Sequence, residues 1–335
     1  MQRRYHMFGK LALALTGAVI LLCACATPYV QSEGEARTTP GLHENYALMD
    51  DGYRLPLTHW VPAGGCRAQV LALHGLNDYS NAFATAGDFL AAQGVTVYAY
   101  DQRGFGESDG FGLWHGSDRM VRDLSLMVTL LNTADPGCPL YVLGESMGGA
   151  VTLAALDTIE PDIAGVILVA PAVWSRDSMP FYQRLALWLA VHTMPGKQLT
   201  GEGLDIKPSD NIEMLRALGR DPQVIKATRV DVLYGVSNLM DQAATVSPGQ
   251  VSDALLLYGM HDEIIPKTPT CRLLTNLTDT TPVHWKIILY ENGYHMLTRD
   301  LQAETVLRDI AGWLLDGGQY RTGTPDNLAQ FCADI

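Results

Sequence analysis

Between Tyr46 and Leu315 the apolar residues fall into short runs, and most of those runs are separated by stretches in which apolar positions return at helical spacing. Gln69–His74, Val95–Tyr100, Leu140–Leu143, Val166–Ala170, Ala254–Tyr258 and Trp285–Tyr290 are mainly apolar and do not alternate. Runs of that kind predict strands covered on both faces. Helical patterns occupy about 80–92, 117–133, 147–158, 267–277 and 300–315. Repeated strand–helix alternation predicts an α/β fold, a mostly parallel central sheet flanked by helices. Glu44–Met49 and Arg54–Trp60 read as an antiparallel edge before it, because Pro56 suits an edge strand and not a central one.

Residues 172–243 interrupt the rhythm. They show no clear strand and carry Trp174, Met179, Phe181, Tyr182, Leu185, Leu187, Trp188, Leu189 and Met194. They predict a helical cap inserted above the sheet, with most of these side chains packing it onto the core and a few lining a pocket. The core then comprises 44–171 and 244–316. A tail, 317–335, is rich in Gly, Thr, Asp and Asn and carries Cys332. No repeat of fixed period is visible, which excludes a solenoid or propeller.

Composition sharpens this picture at one end. With 335 residues, 47% of them hydrophobic and 18% charged, the chain can bury a large core. Its formal charge of −13 and lack of a long basic run argue against nucleic acid as a partner. Arg3, Arg4 and Lys10 precede an apolar stretch, Leu11–Leu22, of 12 residues. That is too short for the roughly 20 residues that span a bilayer, and it reads as a secretory signal over 1–24. Leu22-Cys23-Ala24-Cys25 resembles the bacterial lipobox, which implies that Cys25 is lipidated and starts the mature chain. Cys23 fits less well behind bulky Leu22. Cleavage nearby with neither cysteine acylated is the alternative. Ala26, where the inner-membrane retention signal has Asp, implies an outer-membrane lipoprotein facing the periplasm. Residues 25–43, polar and with Pro28, Pro40 and Gly41, read as a tether from that membrane anchor. Export allows disulfides, and Cys66, Cys138, Cys271 and Cys332 are candidates. None has metal-ligand spacing, so no metal is expected.

The chemistry concentrates at the ends of the predicted strands. Leu143-Gly144-Glu145-Ser146-Met147-Gly148-Gly149 follows one strand and opens a helix. A G-x-S-x-G in that setting is a nucleophile elbow, which exposes the serine hydroxyl where backbone N–H groups face developing negative charge. A serine hydroxyl attacks only when a base takes its proton. Asp262, after the strand ending at Tyr258, and His295, after the strand ending at Tyr290, supply an acid and a base in the chain order this arrangement requires. His261 and Glu263 read as loop neighbours, and His284 lies at the wrong end of its strand. The backbone N–H groups of Met147 and Leu76 are the expected oxyanion donors.

His74-Gly75, Asp101–Gly110, Gly144–Gly149, Gly259-Met260-His261-Asp262 and Gly293-Tyr294-His295 together resemble the monoacylglycerol lipase and lysophospholipase branch of the α/β hydrolases, which overlaps with the serine aminopeptidase S33-like family. The resemblance covers about 44–316. It implies an α/β-hydrolase fold with a cap. It also implies metal-free, cofactor-free cleavage of single acyl esters such as monoacylglycerol or lysophospholipid. An acyltransferase, a proline-type aminopeptidase and a non-catalytic lipoprotein scaffold stay open as alternatives. The chain departs from the family at Asn77-Asp78-Tyr79, where Gly-Glu-His is common. The family's strand order places the strand ending at His74 beside that ending at Leu143, which implies a Cys66–Cys138 disulfide and leaves Cys271–Cys332 to pin the tail. The Asp101–Gly110 run is expected to brace the loops beneath the site.

Overall fold

A computed structural model describes residues 27–32, 34, 37–245, 253–278, 284–315 and 332–333. The predicted signal, Cys25 and nearly all of the tail lie outside them. Among the described residues, strands β1 (Gly41–Leu42), β2 (Tyr46–Leu48), β3 (Arg54–Trp60), β4 (Ala68–Leu73), β5 (Val95–Tyr100), β6 (Leu140–Glu145), β7 (Gly165–Val169), β10 (Asp253–Gly259) and β11 (His284–Tyr290) form one sheet. Its order is β1-β2-β3-β5-β4-β6-β7-β10-β11. The first three strands run antiparallel and the rest parallel. Every residue of β4 and β7 is buried, as their unalternated sequences require of strands covered on both sides.

Two helical layers do the covering. Helices α2 (Ser117–Ala134), α3 (Met147–Ile159) and α7 (Lys267–Thr278) bury Met127, Leu131, Val151 and Leu274 on one face. Helices α1 (Ala84–Ala92) and α8 (Ala303–Leu315) bury Leu90, Val306 and Ile310 on the other. The Asp101–Gly110 run leaves the C-terminal end of β5. There the buried Arg103 guanidinium bonds Asp51 at 2.7 Å and Asp123 at 2.6 Å, and Asp101 accepts from the Ser80 and Glu107 N–H groups.

The inserted segment differs from the sequence reading in three respects. It contains helices α4 (Phe181–Thr193) and α5 (Ile212–Arg220), but also an antiparallel ribbon of β8 (Gln198–Thr200) and β9 (Ala227–Arg229) where no strand was expected. Strands of three residues are too short to show a period, and β8 is exposed along its whole length. Secondly, helix α6 (Val230–Ala243) belongs to the core layer and not to the cap. It buries Val232, Val236 and Leu239, and a Cβ on Gly235 would lie 2.4 Å from the Trp114 ring. The cap proper therefore ends near Arg229. Thirdly, most of the apolar side chains of α4 do not face the core: Phe181 is 75% exposed and Trp188 47%. The tether is also shorter than 25–43, because Gly41–Leu42 pairs with the sheet edge and Thr38 bonds Met49 and Asp50.

Cys66 is bonded to Cys138 across the starts of the adjacent strands β4 and β6, and Cys271 of α7 is bonded to Cys332. The first bridge joins residues 72 apart. Closing a loop of that length contributes about 4 kcal/mol by constraining the unfolded chain. The double variant Cys66→Ser/Cys138→Ser is therefore expected to lower Tm by roughly 5–10 °C in calorimetry. An unchanged Tm would show that the bridge contributes nothing.

Candidate active site

The centre of the site is the crossing from β6 into α3. Ser146 has φ +52°, a left-handed backbone that a residue with a side chain seldom adopts. The turn is held there: Ser146 N–H donates to Val169 O at 3.0 Å, and its carbonyl accepts from Ala150 and Ala172 at 3.1 and 2.9 Å. Gly148 is required by close approach, since a Cβ would stand 2.1 Å from the Leu73 carbonyl oxygen. Ser146 keeps 8% of its surface exposed.

The loop after β4 runs alongside. A Cβ on Gly75 would lie 3.2 Å from Ser146 Cβ and 3.8 Å from its Oγ. Buried His74 donates from Nδ1 to the Gly75 carbonyl at 2.8 Å and accepts at Nε2 from Gln102 N–H at 3.0 Å. Those two bonds define a neutral imidazole, and burial lowers its pKa in agreement. With the Gly75 carbonyl turned to His74, the trans peptide points the Leu76 N–H the opposite way. Met147 is the first residue of α3, where an N–H has no partner within the helix.

Asp262 and His295 meet at the ends of β10 and β11. His295 Nδ1–H donates to Asp262 Oδ2 at 2.8 Å. Asp262 Oδ1 accepts from the N–H groups of Ile264 and Ile265 at 2.8 and 2.9 Å, which fixes the carboxylate in place. The Asp262 side chain is fully buried and that of His295 is 7% exposed. The two loops are zipped by His261 N–H to Gly293 O and by Met260 N–H to Tyr290 O. All three predicted catalytic side chains thus stand at the C-terminal edge of the parallel strands, where open α/β sheets bind their ligands. Leu76, Trp174, Met179 and Ile225 are half-buried against the apolar cluster that includes Met147.

Residues to which the sequence reading gave no part in the chemistry surround the three. Glu145 accepts from Arg299 and Thr298, and Arg299 also binds Asp78. Ser209 of the cap donates to Asp300 Oδ1, while Asp300 Oδ2 accepts from Tyr294 N–H, next to His295. Their only signal in the sequence is charge beside a motif: an acid before the nucleophile, and an Arg-Asp pair just after the histidine.

Asp300 makes the stability of the fold pH-dependent. Burial raises its pKa to about 6, and its bonds to Ser209 and Tyr294 only partly oppose that. A carboxyl raised above its unfolded value favours folding at low pH, and that contribution is lost as pH rises through about 6. Between pH 4 and 7, Tm of the native chain should fall relative to that of Asp300→Asn. Parallel curves in a thermal-shift series would exclude this role.

Cys66, Asp135 and Cys138 are near enough to share a metal ion. The two cysteines are bonded to each other, so neither offers a thiolate.

A monoacylglycerol lipase of Mycolicibacterium smegmatis is 27% identical over 280 residues, covering 79% of this chain and 94% of its own. A monoglyceride lipase of Rattus norvegicus is 26% identical over 271 residues, covering 79% and 88%. The crystal structure of Paleococcus ferrophilus monoacylglycerol lipase superposes with a TM-score of 0.66 at 24% identity, covering 78% of this chain and 98% of that one, and shares its fold. The profile of the family described as "Serine aminopeptidase, S33" matches residues 64–302, so the chain belongs to that family of α/β hydrolases.

Proposed function

We propose that the chain is a serine hydrolase that cleaves carboxylic esters of lipid-like substrates, monoacylglycerols foremost, through an acyl-enzyme on Ser146. The observation that carries this is the buried Asp262–His295 pair, at the same sheet edge as a serine held in a left-handed turn. Ser146 Oγ attacks the ester carbonyl carbon while His295 Nε2 takes its proton, and Asp262 stabilises the imidazolium. The N–H groups of Leu76 and Met147 bind the oxyanion. Collapse breaks the ester C–O bond, and the alcohol leaves with the proton returned by His295. Water, deprotonated by the same imidazole, then releases the carboxylic acid.

The lipase relatives and the apolar side chains exposed along α4 support a lipid-like substrate. An aminopeptidase needs a free carboxylate for the substrate's amine. Glu145, the acid beside the nucleophile, is buried with both oxygens engaged by Thr298 and Arg299. Lysophospholipids are the second substrate class of this reading. It also includes a lipid anchor on Cys25, a short tether and an outer-membrane place facing the periplasm, supported by the N-terminal sequence alone.

The test is a panel of monoolein, lysophosphatidylcholine, p-nitrophenyl esters of several chain lengths and prolyl-naphthylamide, with Ser146→Ala as control. Turnover of the esters with the amide untouched is expected. Cleavage of the amide alone would overturn the ester reading. Acylated Cys25 at the mature N-terminus, found by mass spectrometry, is the expected result for the anchor, and an unmodified start elsewhere removes it.

A further inference from the structure

The topology poses a problem that the three catalytic residues do not solve by themselves. In the sheet order β4-β6-β7-β10-β11, the strand that carries His295 is three places from the strand that carries Ser146. At about 4.8 Å per strand the gap is roughly 14 Å. The loop after β11 must therefore fold back over β10 and β7, and something must hold it there.

Arg299, four residues after His295, is placed to do so. Its Nη2 donates to Glu145 Oε1 at 2.8 Å and its Nη1 to Asp78 Oδ2 at 2.7 Å. Glu145 directly precedes the nucleophile, and Asp78 lies two residues after the oxyanion donor Leu76. Thr298 Oγ1 donates to the other Glu145 oxygen at 2.9 Å. The other Asp78 oxygen accepts from Tyr79 N–H at 3.0 Å. The side chains of Arg299, Asp78 and Glu145 are 8%, 7% and 2% exposed. From outside, the Arg299 carbonyl accepts from Asn211 of the cap at 2.9 Å. One guanidinium thus joins the histidine loop, the nucleophile turn and the oxyanion loop.

We propose that Arg299 is a positioning residue whose guanidinium, bound to Glu145 and Asp78, holds the His295 loop in register with the nucleophile and the oxyanion donors. It touches no reacting atom and acts through the loops it joins. An apolar side chain of similar volume could fill the space, and buried ion pairs seldom add stability over such a replacement. What it could not do is set two loops against a third in a fixed direction, as a planar two-pronged donor does.

The inference rests on the serine hydrolase reading, and the experiment separates the two. Wild type, Arg299→Gln and the triple variant Asp78→Asn/Glu145→Gln/Arg299→Gln are compared on a p-nitrophenyl ester and by thermal shift. Arg299→Gln is expected to lose about 100-fold in kcat, the effect of a misplaced catalytic group, with KM within about threefold. Its Tm falls too, because two carboxylates are left unpaired. The triple variant removes those charges and regains most of the Tm, while its kcat stays low. Recovery of kcat together with Tm, or wild-type kcat in Arg299→Gln, overturns the proposal. If the glutamine variants do not fold, Arg299→Lys is decisive, because it keeps the positive charge and loses the planar two-pronged donor. A fall in kcat of about tenfold or more at unchanged KM supports the proposal, and wild-type kcat overturns it. A wild-type protein that hydrolyses no ester would instead remove the hydrolase reading itself.

Discussion

Ser146→Ala is expected to lower kcat on any ester substrate by about 10^5–10^6-fold while leaving the fold intact. The substitution removes one oxygen and keeps the Cβ, so the packing of Gly75 against that Cβ is retained. The left-handed φ of +52° costs alanine about what it costs serine. The bonds that hold the turn run from the backbone of residue 146 to Val169, Ala150 and Ala172, and none uses the hydroxyl. Tm should therefore stay within about 1 °C of wild type. Steady-state hydrolysis, with covalent labelling by a fluorophosphonate, checks the expectation. Hydrolysis and labelling that both persist in the variant would place the nucleophile elsewhere.

Asp262→Asn is the second large effect, a loss of about 10^4-fold in kcat. The cause is the tautomer and not the geometry. Asp262 Oδ1 accepts from two backbone N–H groups, and the asparagine carbonyl oxygen can keep both bonds. That orientation turns the asparagine NH2 group toward His295 Nδ1, where the carboxylate now accepts at 2.8 Å. The imidazole must then accept at Nδ1 and carry its proton on Nε2, which leaves no lone pair for the serine proton. The variant should fold normally and label slowly with fluorophosphonate. A loss of less than about tenfold would mean that His295 is oriented by something other than this carboxylate.

Much of this was legible in the sequence because the sheet centre leaves little freedom. β4, β5, β6, β7 and β10 are buried on both faces, so their apolar runs have few other readings, and the motifs that follow them inherit known positions. The parts that escaped are those in which no residue is special by itself. Gln198–Thr200 and Ala227–Arg229 become strands only because they meet, and neither carries an apolar stripe. Helix α6 has an ordinary amphipathic pattern, and only its packing beside α3 and Trp114 shows that it closes the core. Phe181 and Trp188 look like core residues by type, and the fold leaves them outside. Asp78, Glu145 and Arg299 are distant in sequence and common on any surface, so only coordinates reveal that they share one buried cluster.

The early end of the cap has a consequence for how such an enzyme can change. Residues 172–229 leave the frame after β7, and α6 then resumes the ordinary path from one parallel strand to the next. Ser146, Asp262 and His295 lie on the frame, whereas the exposed apolar side chains of α4 lie on the insert. The two sets are therefore carried by separable stretches of chain. Natural drift, or a deliberate graft from a relative, can rewrite the insert wholesale, provided that Ser209, Asn211, Asp221 and Thr228 keep their bonds to the loops below.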